Sequence, residues 1–191
     1  MNKKLLATVR FYFAQCVFMN SIHYKAYNRL KGVQERNRNI VLGIASTTLI
    51  LIILQIIGLE FEYENLLSVL SFCGIVLTGA SLILELYNKE DISEIKSQHR
   101  NIGEEYKILR DQFISLIEEI MSSISSEEEL RMKFKKLQNL YSQIGRYSPT
   151  TTGTDYSEAQ SGLGLGKNDN EEFTWSNEEI DRFLPVELRI S

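Results

Sequence analysis

Hydrophobic positions change their spacing repeatedly along this chain, and each change predicts a different element. Residues 40–59, IVLGIASTTLILIILQIIGL, carry no charge, and neither do residues 66–84, LLSVLSFCGIVLTGASLIL. At about 1.5 Å of rise per residue, each stretch approaches the ~30 Å of a bilayer's hydrocarbon core. Core helices of soluble proteins usually keep a polar face, whereas these lack an ionisable side chain for about five turns. Between them lie Glu60, Phe61, Glu62, Tyr63, Glu64 and Asn65, enough to turn and too polar to stay in lipid. The pattern predicts a transmembrane hairpin over residues 40–86, with spans at 40–59 and 66–86.

The flanking segments are amphipathic. Residues 1–39 hold no proline and place Leu5, Val9, Phe13, Val17, Tyr24, Tyr27 and Leu30 in one broad stripe, with Lys and Arg outside it. This predicts an N-terminal amphipathic helix from about residue 4 to 30, lying on a headgroup layer or packed on other helices. Phe11, Tyr12 and Phe13 suit a headgroup boundary. After the hairpin the period becomes seven. Ile92, His99, Tyr106, Phe113 and Ile120 form one register, and Ile95, Ile102, Leu109 and Leu116 the second. Such heptads predict a long helix over residues 86–122, whose seam either folds back on the N-terminal helix or joins copies of the chain.

A serine-rich break at residues 122–126 ends that helix. Ser126 with Glu129, or Ser125 with Glu128, then forms a capping box. Leu130, Phe134, Leu137, Tyr141 and Ile144 line the restarted helix, with Gly145 as its stop, so residues 87–146 read as a cytoplasmic helical region with an antiparallel pair. Residues 147–170 are rich in Ser, Thr and Gly and offer little to bury, which predicts a flexible linker. Its GLGLGK run, residues 162–167, lacks the spacing and the hydroxyl of a phosphate loop. Residues 171–191 combine carboxylates with Phe173, Trp175, Ile180, Phe183 and Leu184. Ser176 and Glu179 make another capping box, and Pro185 bounds a short helix. A tethered acidic-aromatic segment of this kind predicts a docking peptide for a partner protein. Packing on the chain's own helices, against the basic N-terminal segment, is the alternative.

Charge orients this arrangement. Residues 1–38 hold Lys3, Lys4, Arg10, Lys25, Arg29, Lys31, Arg36 and Arg38 against Glu35 alone, while nine carboxylates face three cations from Ser148 onward. Arg29, Lys31, Arg36 and Arg38 precede the first span, and Lys89, Lys96 and Arg100 follow the second. The connector has three glutamates and no Lys or Arg, so the positive-inside rule puts both termini in the cytoplasm. A membrane supplies the anionic surface that the basic segment would meet, so direct nucleic-acid binding is not expected. Cys16 and Cys73 do not suggest a disulfide framework. With His23 and His99 the only histidines, no metal cluster and no cofactor is expected. A cleavable signal peptide is not expected either, because the first apolar run begins at residue 40.

The spans themselves carry a pattern. Ser71, Gly74, Thr78, Ser81 and Glu85 recur at steps of three and four on one face of the second, and Gln55 lies on the first with Thr48 and Gly58. Small and hydroxylated side chains pack helices closely. In an oligomer the same stripe would line a water-filled path, with Glu85 as an acidic ring near its mouth, though Glu85 can also snorkel. Both readings stay open. No nucleophile–base pair or paired carboxylates appear, so an enzyme is not expected.

The order of parts, an N-terminal helix, a two-span hairpin and a long following helix, resembles the SLATT domain family. The run AYNRLKGVQERNRNIVLGIASTTLILIILQIIG, residues 26–58, is similar to that family's entry into the first span. SLILELYNKEDISEIKSQHRNIGEEYKILRDQF, residues 81–113, is similar to its exit. The resemblance covers about residues 5–145. It implies an all-α membrane protein of the bacterial inner membrane, acting as a pore-forming effector in conflict with phage. Partners it implies are a cytoplasmic sensor or a reverse-transcriptase-type protein. A non-conducting membrane anchor that recruits a partner through its C-terminal segment is the alternative function.

Overall fold

The computed structural model describes residues 3–60, 64–87, 92–165 and 175–191, and every regular element among them is helical. Helix α1 spans Lys3–Glu60, α2 Glu64–Tyr87, α3 Ser93–Ser122, α4 Glu127–Tyr147, α5 Gly153–Gly162 and α6 Asn177–Asp181, with a 3-10 turn at Val186–Leu188. The chain divides into two compact units: residues 1–28 with 97–191, and residues 29–96. The expected all-α class holds. The chain has no proline before Pro149, and α1 continues through Gly32 where a separate N-terminal helix was expected. One interior glycine costs a helix only about 1 kcal/mol, too little to end it.

The larger unit is a helical bundle built on the first part of α1. Tyr24 meets Glu104, Asn20 Nδ2 donates to the Gly103 carbonyl at 2.7 Å, and Tyr12 stacks on Phe113, so α1 and α3 run antiparallel. Lys133 pairs with Glu119 while Tyr141 meets Tyr106, so α3 and α4 are antiparallel as expected. The core joins Leu6, Val9 and Phe13 to Leu109, Phe113 and Ile117, with Leu130 and Leu137 from α4. Phe13 is fully buried and Tyr12 packs edge-on to Phe134 and Tyr141. Two aromatics assigned to a headgroup boundary therefore belong to the core; Phe11 remains exposed.

Helix ends follow local chemistry. Ser126 Oγ accepts from the Glu129 amide, and Glu129 Oε2 accepts from the Ser126 amide, which selects this capping box over the Ser125 alternative. Helix α4 passes Gly145 and stops at Tyr147, because the residue before Pro149 is biased away from helix. The flexible-linker expectation over 147–170 is corrected where α5 forms. Thr152 and Asp155 make a third capping box, and Ala159 and Leu165 bury against Phe18 and Ile22. Gly164 has φ +64, and a Cβ there would lie 2.7 Å from Arg182 Nη2. Only glycine fits that turn without strain.

The smaller unit, residues 29–96, contains the remainder of α1 and all of α2. Both are long and apolar enough to cross a membrane, and none of the most apolar stretch of either is buried. Ser46, Thr47 and Thr78 donate back to the carbonyls of Leu42, Gly43 and Gly74, so their hydroxyls are satisfied within their own helices. Lys96 Nζ donates to Gln34 Oε1 at the other end of the unit.

Candidate functional site

The candidate residues resolve into three places. On the spans, Gln55 Nε2 donates to Ser71 Oγ at 3.1 Å, a polar link between α1 and α2. Gly74 and Ser81 are half-buried, whereas Ser71, Thr78 and Glu85 stay exposed on α2. The stripe is therefore only partly used inside one hairpin.

The heptad seam goes inward. His99, Tyr106, Leu109, Phe113, Leu116 and Ile120 are buried and Ile102 half-buried within the bundle, against α1 and α4. Ile117, outside both registers, is also fully buried. Of the two possibilities for the seam, packing on the N-terminal helix is the one seen. Ile92 is buried and Ile95 exposed in the other unit. His99 has a partner across the bundle: its Nδ1 lies 3.0 Å from His23 Nδ1, and Tyr106 stacks on the His23 ring. His23 Nε2 is buried with no hydrogen-bond partner among the described residues. Burial, then the neighbouring His99, push the His23 pKa down to about 4, against an opposing pull from Asp155. The signal was available, since both histidines sit on apolar faces of helices predicted to pack. Cys16 is likewise buried, which raises its thiol pKa and leaves it unreactive.

The third place is the C-terminal segment, where the alternative reading, packing on the chain's own helices, is the one seen. Ile180 and Leu184 are buried in the chain's own core, with Trp175 and Phe183 packed against it; Phe173 lies outside the described residues. Asp181 Oδ1 accepts from Arg10 Nη2 at 2.5 Å, both side chains almost fully buried. Asp181 Oδ2 accepts from the Ile190 and Ser191 amides at 3.1 and 2.8 Å and from the Ser191 hydroxyl. Burial raises the Asp181 pKa, but the Ser191 hydroxyl, Arg10 and the amides outweigh it and bring it down to about 2. Arg10 Nη1 also donates to the Leu188 carbonyl at 3.2 Å. Arg10, assigned to the solvent side of the helix, is thus a core cation.

Over residues 5–179 the chain matches the family described as the SMODS and SLOG-associating 2TM effector domain family 4. The chain belongs to that family. It is a two-span effector domain of a kind associated with defence systems. The match reaches past the expected limit near residue 145 and takes in α5 and the start of α6, so these belong to the shared domain. No curated protein and no solved structure matches the chain.

Proposed function

We propose that this SLATT-family chain is an oligomeric effector of the bacterial inner membrane that permeabilises it when anti-phage defence is triggered. The observation carrying this reading is the incompletely used stripe on α2. Ser71, Thr78 and Glu85 remain exposed on a helix whose apolar surface is also unburied. Polar and ionisable groups are costly against lipid and favour helix interfaces or water-filled paths. Neighbouring copies supply both. Gln55 and Ser71 hold the hairpin, Gly74 and Ser81 let helices approach, and Thr78 and Glu85 face the path. The lysines and arginines flanking the spans support cytoplasmic termini. Opening requires a trigger that binds one assembly better than the other, and a cytoplasmic sensor or reverse-transcriptase-type partner fits that role. The scaffold alternative loses support because Trp175, Ile180, Phe183 and Leu184 are engaged in cis.

Membrane depolarisation in cells expressing the full chain tests the reading. The combined Ser71→Leu, Thr78→Leu and Ser81→Leu variant is expected to reduce it at least tenfold while staying in the membrane fraction. Depolarisation equal to wild type would overturn the water-lined stripe.

A further inference from the structure

We infer that residues 175–191 are an exchangeable clamp: seated on the chain's own α1 here, and seated on the same face of a second copy when copies assemble. The clamp centres on Asp181, which gathers Arg10, two backbone amides and the Ser191 hydroxyl. Arg182 ties it to the end of α5, donating to the Leu163 and Gly164 carbonyls at 3.1 and 3.0 Å. Trp175 meets Phe18 edge-on at 5.9 Å. Removing one partner of a buried ion pair leaves the other charge uncompensated, so each seat of the clamp demands the matching charge. This one is also imperfect, because Arg10 Nε is buried with no hydrogen-bond partner among the described residues.

The occupant that fits this face is written into the chain. Another copy's residues 175–191 would reproduce every one of these contacts, so cis and trans seating differ little in contact energy. Their balance then depends on local concentration and on the strain of cis closure. Trp175 enters the clamp at φ +55, a left-handed conformation that a bulky side chain resists. Ten peptide units join Leu165 to Trp175, a contour of at most ~35 Å, which bounds how far the clamp can move from its own bundle. Confinement of copies to one membrane raises their local concentration and favours the exchange. Clamp exchange supplies an assembly contact for the oligomeric reading, and it stands or falls independently of permeation.

A charge swap split between two copies tests it. Full chains carrying Arg10→Asp and full chains carrying Asp181→Arg each set like charges together in cis. Alone, each is expected to show at least tenfold faster amide exchange in residues 177–191, with α3 still protected. Co-expressed with different affinity tags, the two are expected to co-purify and regain protection, because both trans pairings are complementary. The double variant in one chain is expected to regain it unaided. Singles as protected as wild type, or a mixture that stays exposed and separates by tag while the double variant recovers, would overturn the proposal. If a single variant loses α3 protection, wild-type chains decide. In a mixture of light and isotope-labelled chains, carbodiimide cross-links from Glu178, Glu179 or Glu187 to bundle lysines should join both isotopes. Cross-links confined to one isotope would overturn exchange. If clamps exchange and cells do not depolarise, the permeation reading fails alone.

Discussion

Residues 3–28 and 40–57 belong to the same helix, and both are rich in apolar side chains. In the first part Val9, Phe13 and Cys16 are fully buried, and even Arg10 and His23 are drawn inside. In the second, Ile50 and Ile56 remain 56% and 63% exposed although no charge interrupts them. Apolar content therefore does not decide burial; the period does. An amphipathic stripe selects one partner face and tolerates polar groups that find partners, whereas all-round hydrophobicity selects a hydrocarbon solvent. The two parts of α1 are one backbone matched to two media.

The difference can be broken most strongly in the core. Phe113→Ala removes a fully buried ring between α1 and α4 and is expected to cost the bundle about 3–5 kcal/mol. Ile56→Ala in the span is expected to leave the same transition within about 0.5 kcal/mol. Denaturant unfolding of the full chain in detergent, followed by Trp175 fluorescence, reads both. Equal losses would erase the distinction between the two parts.

Acid sharpens the comparison with a smaller effect. His23 has its folded pKa depressed from the usual 6.5 to about 4, so the fold favours the neutral ring. Its contribution is complete above pH 6.5 and is lost as pH falls through the folded value, by up to about 3 kcal/mol. His99 and Tyr106 on α3 and Asp155 on α5 are the titratable groups beside it. His23→Gln is expected to flatten the stability profile between pH 6.5 and 4. Asp181, with its pKa lowered to about 2, governs a separate loss at lower pH, again as its folded pKa is approached from above. A wild-type slope retained in the His23→Gln variant would remove the histidine pair from the account.

Periodicity carried most of this fold in advance, and its failures share a cause. The hairpin, the heptad helix and the Ser126 and Ser176 boxes were legible because each repeats a local rule within a few residues. Helix α5 was not, since its Thr152–Asp155 box lies in a Ser/Gly-rich stretch with only Ala159 and Leu165 to bury. From His99 to Ile120 the seam residues turn into the bundle while Ile95 stays exposed, and a heptad does not say whether its partner is the same chain. The Arg10–Asp181 pair joins positions 171 residues apart and breaks the rule that cations lie outside the stripe. Buried charges that satisfy each other across the chain leave no periodic trace. The exposed part of the α2 stripe was visible in the sequence, but a pattern along one chain does not say what that face meets.

The subunit number of the full chain, extracted in a mild detergent and measured by native mass spectrometry, tests the central claim most directly. An oligomeric effector predicts a closed assembly of at least four copies, reduced by Ser71→Leu, Thr78→Leu and Ser81→Leu together. A monomer or dimer under all conditions, with or without cellular activation, would contradict it.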